Sequence, residues 1–168
     1  MFEQFHYVGP AEISRRVDVE DRGFVISTPA ELAAWLEQYS DDGWSTYTVS
    51  LAGNLLLAPR RQEHVGCAQG APVLAAGEML FEAEELEYVS NQSTGYCPRA
   101  TSFPAVLHAL KTAGLRTDKA DFDARFEFRR CEGCGERAIL KDGFTDCVSC
   151  GAELPDRWNF HRDEDPRS

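Results

Sequence analysis

Four of the six cysteines lie within twenty residues of one another and form two pairs with C-x2-C spacing. The pairs are Cys131 with Cys134 and Cys147 with Cys150, and twelve residues separate them. Two such pairs can place four thiolates at the corners of a tetrahedron, which is the geometry of structural Zn²⁺ sites. Because the protein then fills every coordination position, we expect one structural zinc ion without a catalytic role.

Two other uses of these cysteines have to be weighed. Iron also binds four thiolates, and the spacing does not distinguish it from zinc. Disulfide bonds are disfavoured, because residues 1–6 lack the basic and apolar regions of a secretory signal. We therefore expect a cytoplasmic protein, in which thiols stay reduced.

The residues around the two pairs are typical of tight turns and a hairpin. Gly135 and Gly151 follow the pairs, and a glycine there can take a positive φ and aim backbone N–H groups at the sulfurs. Asp142-Gly143 predicts a tight turn between two strands. In these features residues 129–155 resemble the zinc-ribbon family over about one sixth of the chain. The resemblance implies a small β unit held together by zinc, and many zinc ribbons contact nucleic acid.

The charge of the chain argues against nucleic acid as a partner. With 17 Lys+Arg and 28 Asp+Glu, the formal net charge is −11. Residues 1–124 hold nine basic and eighteen acidic side chains, a net of −9, and residues 125–168 hold eight and ten, a net of −2. Such a surface repels phosphate backbones and anionic lipids. Nucleic-acid binding is therefore an alternative only through a small basic cluster, formed by Arg125, Arg129, Arg130, Arg137 and Lys141.

A run of seven residues that can donate or accept hydrogen bonds follows a predicted strand at residues 90–96. Loops at strand ends often carry function, because the sheet holds them in place. The candidates for binding a ligand or partner are Asn91, Gln92, Ser93, Thr94 and Tyr96. The alternative is a turn in which these groups satisfy the neighbouring backbone.

The two remaining cysteines raise the question of catalysis. His64 and Cys67 form an H-x2-C pair, and with Cys97 and a carboxylate such as Glu78 they would make a second metal site if the fold brought them together. His64 next to Cys97 would instead resemble an activated nucleophile. The alternative is that both cysteines are small buried hydrophobic residues. Standard phosphate-binding, dinucleotide-binding and hydrolase motifs are absent. Because catalytic groups can also converge from distant positions, an enzyme with a pocket between the 60–67 and 90–98 loops stays an open alternative.

Hydrophobic periodicity predicts the elements that position these groups. Thr28, Pro29 and Glu31 are typical of a helix start, and apolar residues recur at helical spacing as far as Tyr39. A second helix is expected after a Ser102 cap, with its end at Gly114. Period-two alternation and turn signals predict strands at residues 2–8, 24–26, 47–51, 55–58, 73–82, 86–92 and 125–129. Consecutive hairpins indicate an α+β fold: a mainly antiparallel sheet of five or six strands, two helices and a C-terminal zinc ribbon.

We expect three regions: an α+β body at 1–124, a zinc ribbon at 125–155 continuous with the body, and an acidic tail at 156–168. No apolar run approaches the ~20 residues that span a bilayer. The small size, the absent catalytic motifs, the zinc and the acidic surface favour a protein-interaction module. Such a module would be an adaptor, or an inhibitor of the immunity or antitoxin type, for a basic protein partner.

Overall fold

The structure, a computed structural model, describes residues 2–160 and is built around a five-stranded antiparallel sheet. The strand order across this sheet is β1-β3-β2-β4-β5. Its strands are β1 (Phe24–Ile26), β2 (Trp44–Ser50), β3 (Leu55–Pro59), β4 (Val73–Glu82) and β5 (Glu85–Val89). A separate antiparallel pair consists of β6 (Glu127–Arg130) and β7 (Arg137–Leu140). The helices are α1 (Ala11–Arg15), α2 (Pro29–Tyr39), α3 (His64–Cys67) and α4 (Phe103–Thr112), with 3-10 turns at Val19–Asp21 and Ala100–Ser102. The predicted α+β class with a mainly antiparallel sheet is confirmed.

Local sequence signals place both predicted helices. At the start of α2, the hydroxyl of Thr28 accepts a hydrogen bond from the backbone N–H of Glu31 at 3.1 Å. At the end of α4, Gly114 has the expected positive φ of 72°. Ser102 is the N-cap residue of α4, as predicted, but its hydroxyl makes no capping hydrogen bond and instead donates to the carbonyl of Arg99 at 2.7 Å inside the preceding 3-10 turn.

The central strand β2 differs from the half-buried strand that the alternation predicts. Ser45, Thr46 and Thr48 are at most 2% exposed, whereas Leu51, expected on the buried face, lies beyond the strand and is 44% exposed. Both faces of the sheet are covered: α2 and α4 pack on one face, and α3 contacts β2 on the other. The buried hydroxyls find partners there, since Thr46 donates to the carbonyl of Arg60 at 3.1 Å.

Two of the predicted strands differ from the structure: one is absent and one ends early. Residues 2–8 form no strand, and only Phe5 pairs, with Val73 of β4, through hydrogen bonds of 2.7 and 2.9 Å. β5 ends at Val89, and Ser90 turns to a parallel bridge with Ala124. Within residues 2–160, none of the helices has the length and apolar character needed to cross a membrane.

Candidate metal centre

The four paired cysteines converge on one point. Their Sγ atoms all lie within 4.8 Å of one another. Two of these distances are 3.5 Å, between Cys131 and Cys150, and 3.7 Å, between Cys134 and Cys147. A tetrahedron with Zn–S bonds of about 2.3 Å has S–S edges of about 3.8 Å, whereas a disulfide needs about 2.05 Å. The four cysteines are therefore positioned to hold a metal ion. Within residues 2–160, no other set of three or more His, Cys, Asp or Glu side chains is close enough together to do so.

The two cysteine turns have the same backbone structure. In each, the N–H of the glycine after the second cysteine donates to the carbonyl of the first cysteine at 2.8 Å. The N–H of the first cysteine donates to the carbonyl of the residue after that glycine, at 2.8 and 2.7 Å. Gly135 and Gly151 both have a φ of +79°, a conformation that residues with a Cβ adopt at a cost. The glycines therefore have the geometric role that the sequence predicts.

Backbone N–H groups in these turns point at the sulfurs. Hydrogen bonds from the N–H groups of Cys150 and Ser149 lower the pKa of the Cys147 thiol to about 7. For Cys134 and Cys150 the backbone N–H bonds also act to lower the pKa, but burial and the neighbouring thiols raise it overall. In the equivalent place of each turn, the N–H of Glu136 bonds to Cys134 and that of Ala152 bonds to Cys150. Such bonds stabilise the thiolate, which is the form that binds a metal.

The core beside the cysteines is small. Cys131, Cys147 and Leu154 are buried, and Ala138, Leu140 and Ala152 pack around them. The other two cysteines are exposed. Because two of the three buried side chains are candidate metal ligands, this region has little hydrophobic stabilisation of its own.

The strand pairing of this region differs in part from the predicted hairpin. The Asp142-Gly143 turn is present, with a φ of +80° at Gly143 and a 2.8 Å hydrogen bond from the Phe144 N–H to the Lys141 carbonyl. β7 pairs with β6, before the first cysteine, and the residues on the two sides of the turn are joined by one isolated bridge, Lys141 with Phe144, which lies outside β7.

Side-chain contacts join this region to the rest of the chain. The Asn159 amide acts like the edge of a neighbouring strand, accepting from the Arg130 N–H at 2.8 Å and donating to the Arg130 carbonyl at 2.9 Å. Phe160 is 7% exposed and packs with Phe128 of β6 and with Cys97. Residues 158–160 of the predicted acidic tail therefore pack inward, whereas Asp156 and Arg157 are exposed, and residues 161–168 lie outside the described residues.

The arginines of the predicted basic cluster are engaged within the protein. The guanidinium of Arg129, 7% exposed, donates to three carbonyls at 2.7 to 3.0 Å. Arg130 donates to two further carbonyls, and Arg125 pairs with the Asp121 carboxylate at 3.0 Å. Arg137 donates to a carbonyl of the 90–96 loop. Few of these donors are left for phosphate groups.

The buried polar side chains at 90–96 bond to backbone groups of the protein itself. The buried Asn91 amide accepts from the Phe126 N–H at 2.7 Å and donates to the Phe126 carbonyl at 2.8 Å. The Ser93 hydroxyl accepts from the Tyr96 N–H at 3.3 Å, and the buried Tyr96 hydroxyl donates to a carbonyl at 2.8 Å. Gln92 is half-buried and Thr94 is exposed. The Ser93 bond matches the alternative of a turn that satisfies its neighbours, whereas Asn91 and Tyr96 tie the loop to backbone 35 and 25 residues away.

The candidates for catalysis are not brought together. Cys67 packs with Leu56 and Ala58, whereas Cys97 belongs to the separate cluster around Phe128. Burial raises the pKa of the Cys67 thiol to about 11 and that of the Cys97 thiol to about 12, so both are protonated at neutral pH. Protonated thiols are poor nucleophiles and poor metal ligands.

The other two members of the proposed second site also have partners elsewhere. The Nε2 atom of His64 lies 2.8 Å from the carbonyl oxygen of Gly77. Glu78 pairs with Arg60 at 3.6 Å. Two surface clefts have volumes of about 440 and 300 Å³, and neither of these is lined by His64 or Cys97. The lining of the larger cleft is Arg99, Glu127, Arg129, Arg157 and Trp158.

His64 makes the free energy of unfolding depend on pH. Burial lowers the pKa of His64 to about 4, from about 6.5 in an unfolded chain. As the pH falls below 6.5, the unfolded state binds the proton first, so stability is lost progressively down to about pH 4, by about 3 kcal/mol in total. Urea titrations from pH 7 to 4 should show this slope in the wild type and a flatter one in His64→Gln. A His108→Gln variant, which alters an exposed histidine and keeps the metal centre, should retain the wild-type slope; equal slopes in all three proteins would contradict the assignment.

Comparisons with known proteins do not supply a function. No family model matches the chain, and no curated protein or solved structure matches it significantly. The functional argument therefore depends on the residues of the chain and on the geometry of the four cysteines.

Proposed function

We propose that the protein is a cytoplasmic protein-interaction module, an adaptor or an inhibitor of the immunity or antitoxin type, stabilised by one structural zinc ion. Its partner would be a basic protein that meets the acidic surface of the chain. The observation that carries the proposal is the cluster of four cysteines. Four thiolates would fill every coordination position of a zinc ion, so that none is left for a substrate. The bound ion would also stiffen an exposed, acidic region. A net charge of −11 would also speed the encounter with a basic partner and favour it over others.

Zinc is the metal that fits this proposal best. Zn²⁺ adopts the tetrahedral tetrathiolate geometry without redox chemistry, as a purely structural role requires. The S–S distances of 3.5 and 3.7 Å between facing cysteines suit Zn–S bonds of the usual length. The backbone N–H groups aimed at the sulfurs would stabilise the bound thiolates.

Two sets of contacts argue against the alternatives. The enzyme hypothesis needs His64 and Cys97 in one pocket with the polar loop, and these residues instead make separate buried contacts. Nucleic-acid binding through the zinc-ribbon-like region needs free arginines, and the guanidinium of Arg129 is enclosed by carbonyls. Both arguments favour the interaction hypothesis.

The test begins with the zinc-loaded protein as bait and ends with purified components. Proteins retained from an extract of the source organism would be purified and titrated calorimetrically at about 50 mM and 500 mM salt. We expect a partner of high isoelectric point, whose affinity falls at least tenfold at the higher salt. A partner whose affinity is independent of salt, or retention only of nucleic acid in a parallel filter-binding assay, would contradict the proposal.

A further inference from the structure

Two apolar side chains beside the metal centre are exposed. Phe144 is 71% and Val148 is 95% exposed, and among residues 2–160 only Val19 of the large hydrophobic residues is comparable, at 78%. Phe144 and Val148 are four residues apart, so their Cα atoms are at most ~13 Å from each other. A short segment of a partner protein could therefore contact both.

Neither side chain is needed for the core of its own region. That core consists of the cysteines and Leu154 with their small apolar neighbours, and it includes neither Phe144 nor Val148. The backbone at both positions belongs to the cysteine region: the Phe144 N–H donates to the Lys141 carbonyl at 2.8 Å, and Val148 follows the buried Cys147. A metal ion bound by the four cysteines would hold this backbone in place, and apolar side chains on a rigid support lose little entropy when a partner covers them.

Negative charge surrounds the two side chains. Residues 131–154 contain five acidic and two basic side chains, a net of −3, and all five carboxylates are exposed. One of the two basic groups, the Arg137 guanidinium, donates to a carbonyl. A bound zinc with four thiolates adds about two negative charges. The acidic residues are Glu132, Glu136, Asp142, Asp146 and Glu153.

We propose that Phe144, Val148, Asp142 and Asp146, together called the 142–148 surface, form the docking site for a basic segment of the partner protein. The segment would carry two apolar side chains about four residues apart, flanked by Lys or Arg. A second copy of this chain is a poor candidate for binding to the 142–148 surface, because two surfaces of the same negative charge repel each other. Nucleic acid is repelled for the same reason. This proposal rests on the proposed function and deepens it by naming the surface and the chemistry of the partner.

The direct test uses a defined peptide as the probe. A fluorescein-labelled peptide of sequence Lys-Leu-Lys-Gly-Lys-Leu-Lys would be titrated into the zinc-loaded full chain and followed by fluorescence anisotropy and by amide chemical shifts. We expect binding with shift changes centred on residues 141–149. Replacing both leucines by serine, or every lysine by glutamate, should weaken binding about tenfold or more.

Variants of the chain separate this surface from general acidity. The double variant Phe144→Ser with Val148→Ser should weaken peptide binding about tenfold, whereas Val19→Ser, which alters the exposed valine of the body, should not. Asp142→Asn with Asp146→Asn should weaken binding more than Glu12→Gln with Glu37→Gln, a matched pair of exposed acidic residues on α1 and α2. Equal loss in test and control variants, shift changes confined to the body, or no peptide binding would overturn the proposal.

The same variants distinguish failure of this proposal from failure of the proposed function. Suppose that the purified partner binds with salt-dependent affinity, but the Phe144→Ser/Val148→Ser protein binds it as tightly as the wild type does. The protein is then an interaction module that uses another surface, and only the 142–148 surface is disproved. If no basic partner binds with salt dependence, the proposed function itself fails.

Discussion

Replacing Cys131 by serine is expected to abolish metal binding and to unfold residues 131–154 at neutral pH. The reason is the size of the core: Cys131, Cys147 and Leu154 are its only buried side chains in the described structure. Zinc binding to comparable small sites contributes about 10–16 kcal/mol, which far exceeds what one leucine and a few small apolar residues supply. Removing the metal from the wild type with a chelator should have the same effect.

The measurement combines metal analysis with amide spectra. We expect one zinc per wild-type chain and none in Cys131→Ser, with loss of the dispersed amide signals of residues 131–154 in the variant. Cys97→Ser is the matched control, because Cys97 lies outside the centre and its Sγ is 3.5 Å from the Thr94 carbonyl, within reach of a serine hydroxyl. This control should keep the zinc and the spectrum.

Two outcomes would contradict this account. Iron at one per chain, with the visible absorption of thiolate-bound iron, would replace zinc as the metal. Amide signals of residues 131–154 that survive complete removal of the metal would mean that the region folds without it, so that the site would not be structural.

The parts of the fold that the sequence predicts correctly depend on local signals. The start of α2 is determined by Thr28, Pro29 and Glu31, which lie within four residues. The cysteine turns depend on residues at most five apart, and the glycine after each pair fixes the direction of the chain. Short-range patterns of this kind are sufficient for the metal centre, because both halves of the ligand set are built by the same local turn.

The incorrect predictions concern positions whose burial or hydrogen bonding depends on residues far away in the sequence. The alternation in β2 predicts one solvent-facing side, but α3, a four-residue helix without a strong sequence signal, covers it and buries Thr46 and Thr48. The polar side chain of Asn91 suggested a binding loop, yet it pairs with the backbone of Phe126, 35 residues away. A short-range pattern contains no information about such a partner.

The basic cluster shows most clearly what a short-range pattern leaves out, because Arg129 is buried by distant parts of the chain. Arg129 also gives the second prediction with a large expected effect on stability. Replacing Arg129 by methionine is expected to lower the free energy of unfolding by about 3 kcal/mol, because three carbonyls lose their donors while the apolar stem is retained. Those carbonyls belong to Phe128, Pro155 and Asp156, so Arg129 joins β6 to the chain that leaves the metal centre. The Glu127 carboxylate, 3.7 Å from the guanidinium and 49% exposed, contributes little to this effect.

Urea unfolding of the zinc-loaded variants provides the test. Arg129→Lys should lose an intermediate amount, since one ammonium keeps the charge but cannot reproduce the planar set of donors. Arg125→Met is the control: its pair with Asp121 is half exposed on both sides, so its loss should cost less than about 1 kcal/mol. In Arg129→Met, the indole N–H signal of Trp158, which donates to the Cys97 carbonyl at 2.7 Å, should also exchange faster with solvent. If Arg129→Met were as stable as Arg125→Met, Arg129 would not be what joins β6 to residues 155–156. The guanidinium of Arg129 in the wild type would then return as a candidate for binding phosphate.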